Sequence, residues 1–246
     1  MSLILLLLIL LQAPQALMVK RFDVLRVNTE DLRRLPNSMR AIFVDPVPDG
    51  VPVKNLEEAA QRAGFMPRIV NGQTPKRLYV TNVVNDEVVV AVAVLNDAIR
   101  DAKVQGVTVP SNWDGVSIGL KQSPGILVDY GDFYIAQGPP RTMTVPANFP
   151  LAQYMEALFR IMGIESAKAR ALRDSFAANP TSYLPVAPRF EMDIRQIPLP
   201  ANAGLLLQNA DKGGELAFMW TAGERSYFLT GQVTEEQAIA IAKSFQ

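Results

Sequence analysis

The sequence predicts an α+β protein, with mostly antiparallel sheets built from hairpins and helices packed on a sheet face. Three observations carry this. Short β-rich runs are separated by turn residues, which favours hairpins and antiparallel pairing. The helical segments each show a single apolar stripe, which must be buried on a sheet. No regular strand–helix–strand alternation runs along the 246 residues, so a doubly wound parallel sheet is not expected.

The first 18 residues carry no charge, and Leu3 to Leu11 form nine unbroken aliphatic positions. Nine residues fall short of the roughly 20 that cross a bilayer but suit the hydrophobic region of a signal peptide. Residues 1–18 are therefore expected to be a signal peptide or a membrane anchor, the anchor form stretching from Leu3 to Val19. A cytosolic chain starting at Met18 is the alternative. Residues 19–54 hold Pro36, Pro46, Pro48 and Pro52 and read as an arm: a short strand, a helical turn near 29–43 and an extended piece.

One α+β domain is expected over 55–246, with a division into two subdomains near 140–150 as an alternative. Its first helix spans 55–64: Asn55 suits the N-cap, Glu58 the third helical position, and Gly64 the left-handed stop. Leu56, Ala59, Ala60 and Ala63 form the stripe. Strands are expected at 76–83 and 87–94, with Val84-Asn85-Asp86 as a hairpin loop between them. A helix over 96–105 follows, striped by Leu95, Ala98, Ile99 and Ala102 and stopped by Gly106. Further strands are expected at 115–121, 126–130 and 133–137, the last two joined by the Gly131-Asp132 turn. Pro139, Pro140 and Pro146 are expected to keep 142–146 out of a sheet centre. Helices at 151–162 and 166–178 form a pair, since their link is short. Strands at 190–197, 204–209, 215–221 and 226–230 follow, with a turn at 211–214. The final helix, 234–245, has a Thr234/Gln237 capping box and a stripe of Ala238, Ile241, Ala242 and Phe245.

Composition narrows the chemistry. The chain has 24 basic and 24 acidic residues, and no Cys or His. Zero net charge argues against nucleic acid or an anionic surface bound by bulk charge. Lack of Cys removes disulfides and thiolate chemistry, and lack of His removes the Ser-His-Asp triad and imidazole bases. The Gly115-Val116-Ser117-Ile118-Gly119 run matches a nucleophile elbow, but its flanks read as strand and there is no His to take the serine proton; a Ser117–Lys121 pair is formally possible. Glu191 with Asp193, and Asp129 with Asp132, are the carboxylate pairs that could serve a hydrolase. Lys168, Arg170 and Arg173, with Arg160, make the helical pair basic. Tyr130, Phe133 and Tyr134, around one hairpin turn, are the expected partner-binding edge. No catalytic residue, cofactor or metal ligand is assigned.

Trp220, the Ser226-Tyr227-Phe228-Leu229-Thr230-Gly231 run and the helix with Ala242-Lys243-Ser244 resemble the ending of bacterial DUF4367-type domains. Leu56-Glu57-Glu58-Ala59 with Ala63-Gly64-Phe65 resembles their opening, and Pro110 with Trp113-Asp114-Gly115 an internal strand start. The resemblance spans about residues 55–246. It implies an extracytoplasmic domain of the kind found behind one transmembrane helix in anti-sigma-factor-like regulators, with no catalytic residues to carry over. This chain departs from that pattern in lacking a cytosolic anti-sigma module. The expected function is a non-enzymatic, sensor-like binding domain, secreted or anchored through residues 1–18, whose partner is a protein or envelope ligand. A carrier of lipid or another hydrophobic ligand and a carboxylate-based hydrolase are the alternatives.

Overall fold

A computed structural model describes residues 15–18, 20–40, 42–43, 50–186, 192–209 and 215–246. The aliphatic run at 3–11, Glu191 and the expected turn at 211–214 lie outside these residues.

The described residues begin with strand β1 (Gln15–Met18), inside the segment expected as leader or anchor, then strand β2 (Arg21–Arg26), short helices α1 (Thr29–Arg33) and α2 (Asn37–Arg40), and strand β3 (Gly50–Val53). Helix α3 (Leu56–Ala63) follows as expected. The Asn55 side chain accepts the Glu58 N–H at 2.9 Å, and Gly64 stops the helix at φ 81°. Strands β4 (Arg77–Thr81) and β5 (Val84–Val89) come next, then helix α4 (Val92–Asp101), strands β6 (Ser117–Gln122), β7 (Ile126–Asp129), β8 (Phe133–Gly138) and β9 (Thr142–Val145). Helices α5 (Leu151–Ile161) and α6 (Ser166–Ala178) form the expected pair. Strands β10 (Thr181–Val186), β11 (Met192–Pro198), β12 (Ala203–Asn209), β13 (Glu215–Ala222) and β14 (Arg225–Gln232) lead to helix α7 (Glu235–Ser244), whose Thr234/Gln237 capping box is formed.

Strands β11-β12-β13-β14-β8-β7-β4-β3 form an eight-stranded sheet in that order, and β1-β9-β6-β5 a four-stranded one; every pair in both is antiparallel. With the helices packed against them, the fold is α+β. The single parallel pair among the described residues joins β2 to β10.

Several elements differ from the sequence expectation. Val84-Asn85-Asp86 is not a hairpin loop: it opens β5, which pairs with β6 rather than with β4. Buried positions keep even numbering from Leu78 and Val80 to Val88 and Val90, which is the pattern of a chain running on in one direction. Helix α4 starts four residues before Asn96. The Asp114 carboxylate accepts the Val92 N–H at 2.8 Å and so caps the helix from a distant segment. It ends at Asp101 without using Gly106: Lys103 takes positive φ (53°) and donates to the Arg100 carbonyl, while Val104 donates to that of Ile99, the Schellman pattern. Strand β9 lies between β1 and β6, not at an edge. Its four residues contain none of the flanking prolines, so both ladders form.

Two large cores result. The first gathers α4, α5 and α6 against the four-stranded sheet and includes Leu25, Leu35, Met39 and Phe43 of the arm. The second gathers α3 and α7 against the inner face of the eight-stranded sheet, around Phe218, Trp220, Tyr227 and Phe245. Segments from both sides of 140–150 enter each core, so that stretch does not divide them. These arm residues are buried in that core. A third, small cluster of Val186, Leu205 and Leu207, with Phe22, Val24 and Met219 packed on it, lies where β2 and β10 meet the outer face of the large sheet.

Candidate functional site

Side chains alternate across a strand, so the large sheet has an inner face on the second core and an outer one. Register aligns one outer row across six neighbouring strands: Leu205, Met219, Phe228, Ala136, Leu127 and Tyr79. The β2–β10 pair covers the Leu205 end. Over β14, β8, β7 and β4 the row stays partly exposed. Tyr134, in the adjacent row, is 41% exposed and leans toward Phe228 with ring centroids 6.5 Å apart.

A solvated face of an antiparallel sheet is ordinarily polar. Here the central row is aliphatic and aromatic, and each of its side chains on β14, β8, β7 and β4 is partly exposed. Its polar flank is Thr230, Tyr134, Asp129 and Arg77, which are register neighbours on the same face. The Tyr79 hydroxyl, by hydrogen bonding, and the Asp129 carboxylate raise the pKa of the Arg77 guanidinium. Asp129 also accepts the Gly131 N–H at 2.7 Å, which shapes the β7–β8 turn.

Of the three residues expected to form a binding edge, only Tyr134 is displayed. Tyr130 and Phe133 are each 7% exposed, stack on each other at 4.8 Å, and belong to the second core. The Tyr130 hydroxyl accepts the Val70 N–H at 3.0 Å, and burial raises its pKa. Alternation is the signal that separates them: Phe133 and Ile135 point inward, so Tyr134 points out. Tyr79 and Phe228 join it from strands distant in sequence, and Leu127 from across the β7–β8 hairpin.

The other candidates resolve as structure. Ser117 begins β6, and its hydroxyl donates to Glu87 on β5. Lys121 lies four residues on along the same strand, about 13 Å away, too far to activate it. Asp193 pairs with Arg195 at 2.7 Å, and β11 is five strand steps from the Asp129 strand, about 24 Å. Glycosidase carboxylates stand about 5–10 Å apart. Among the described residues no group of three or more acids could hold a metal ion. Arg173 on the basic helical pair binds Glu156 and Asp174, both at 2.8 Å.

A pocket in the first core, lined by Leu17, Ile42, Leu120, Arg141, Met155 and Tyr183 among others, has a volume of about 30 Å³, the space of roughly one water. No helix among the described residues is long and apolar enough to cross a membrane. Trp220 and Tyr227, which carry much of the family resemblance, are stacked at 5.1 Å and fully buried, so that motif is a packing unit. In comparison with known proteins, no family model matches the chain, and neither a curated protein nor a solved structure is found similar to it.

Proposed function

We propose that this chain is a non-enzymatic, sensor-like binding domain of the cell envelope that engages a protein partner through the open outer face of β14, β8, β7 and β4. The observation that carries the reading is the apolar row Phe228–Ala136–Leu127–Tyr79 beside exposed Tyr134, on a face where alternation calls for polar residues. Tyrosines suit such a role, since each offers a large rigid surface and a hydroxyl for hydrogen bonding. The extracytoplasmic setting is supported by the uncharged aliphatic run at 3–11 and the DUF4367-type resemblance; Gln15–Met18, at the end of the expected leader, form β1 beside β9 in the folded body, so in this reading the leader proper ends before Gln15. The small size of the described pocket gives the carrier reading little support, and the separation of Asp129 from β11 gives the hydrolase reading none.

The test is a photo-crosslinking amino acid placed at Tyr134 in native host cells, with the same probe at Lys168 on α6 as control. A discrete adduct at Tyr134 only, lost when Leu127→Asp is added, is the expected result. Adducts common to both positions, or none at Tyr134, refute the surface. Fractionation with N-terminal sequencing of the mature protein tests the location: recovery in the cytosol with an intact leader refutes it.

A further inference from the structure

Strands β4, β7 and β8 are neighbours in the large sheet, and their direct chain neighbours β5, β6 and β9 are neighbours in the small one. The two sheets therefore share one long three-stranded ribbon, creased where the chain crosses at 82–83, 123–125 and 139–141. The crease carries Pro124, Gly125, Pro139 and Pro140. Prolines have no N–H to extend a ladder, so strand pairing breaks there on two of the three chains. The crossings lie side by side. Thr81 donates its N–H to the Gly125 carbonyl at 2.9 Å, and its hydroxyl accepts the Gly125 N–H at 2.8 Å. A methyl group on Gly138 would stand 3.0 Å from the Gly125 Cα.

Away from this line the two lobes meet through the β2–β10 pair. Its inward side chains Leu25 and Tyr183 belong to the first core. Its outward Phe22 and Val24 rest on Leu205, Leu207, Ala217 and Met219 of the large sheet. Among the described residues, side-chain hydrogen bonds tie it. Thr221 donates to the Lys20 carbonyl at 3.2 Å, Gln196 to the Phe22 carbonyl at 3.2 Å, and Arg26 to the Met192 carbonyl at 3.4 Å.

The geometry points to a clasped hinge: the lobes bend about the Pro/Gly crease, and the β2–β10 pair is the clasp that holds them closed. Interfaces of this modest, partly polar kind permit relative motion of the units they join. Opening uncovers Leu205 and Met219, which lie in the same register row as Phe228, Ala136, Leu127 and Tyr79. The apolar row then runs unbroken over six strands, so the clasp governs how much of the outer face is available. The hinge stands on lobe geometry and does not require the partner reading to be correct.

The absence of cysteine allows two labels to be placed without background. Spin labels at Lys168→Cys on α6 and Lys243→Cys on α7, both exposed, report the distance between lobes by pulsed electron resonance. Two distance populations are expected in the otherwise unaltered chain. In Gln196→Ala/Thr221→Ala, which removes two clasp hydrogen bonds, the longer population grows about fivefold relative to the shorter. Circular dichroism checks that this variant stays folded. Should it unfold, Gln196→Ala alone, at an exposed position, carries the same expectation at about twofold. A single narrow distance that neither variant shifts overturns the hinge, as does a change in which both lobes lose structure together.

Discussion

Tyr154 sits in the first core beside Trp113 and Phe149, with ring centroids 6.1 and 5.5 Å away. The side chain is fully buried, and its hydroxyl has no hydrogen-bond partner among the described residues. Burial alone drives its pKa upward. A buried hydroxyl without a partner costs free energy that a phenyl ring avoids. Tyr154→Phe is therefore expected to leave stability unchanged or raise it by about 1 kcal/mol, measured by urea unfolding. A loss above about 1 kcal/mol would show that the hydroxyl has a partner after all. The contrast with Tyr130 is instructive, because that hydroxyl is bonded to Val70 N–H. A tyrosine's surroundings, and not its presence beside a turn, decide whether it binds, packs or carries a penalty.

Individual elements show which local signals survive folding. Helices with a cap inside their own segment were legible from sequence: Asn55 with Gly64, and Thr234 with Gln237. Local signals place helix α4 four residues late because its cap, Asp114, arrives from 22 residues away. Asn85-Asp86 has turn chemistry, yet pairing of β5 with β6 overrides it. Strand β10 leaves no local signal for a related reason: Pro185 weakens its pattern, and its partner β2 lies far away in sequence. The stripes themselves hold. Ala59 and Ala242 are fully buried, while Ala60 is only partly so. Ala59→Asp and Ala242→Asp should each cost about 3–5 kcal/mol by burying an unpaired charge, with Ala60→Asp milder. Thermal melts of the three variants test the order, and an Ala60 variant as damaged as the other two would contradict the packing.

At the scale of the whole molecule, hairpin logic correctly gave the α+β class but could not give the interleaving. Sheet order is set by non-local pairing, and nothing in the sequence of β8 announces that β14 will lie beside it. Of the candidate surface, the sequence shows Tyr134 and the β7–β8 hairpin that carries it, while Tyr79 and Phe228 are brought in by non-local register. Interleaving also carries a prediction. Residues 1–146 hold β3, β4, β7 and β8, while 147–246 hold β11 to β14, so each fragment has half of the large sheet and an exposed edge. Neither fragment alone should give a dispersed amide NMR spectrum. A native-like spectrum from either would show that the cores are separable.

The position of β14 has a further consequence during synthesis. It is the last strand made, and it joins β13 to β8 in the middle of the sheet. About ninety residues separate it from β8, so at about 5–20 residues per second the edge of β8 waits on the order of 5–20 s at the ribosome. Through that interval the nascent chain carries an unpaired, apolar strand edge. Folding of the second core is thus a late event, and the growing polypeptide has a defined period in which a chaperone has something to hold.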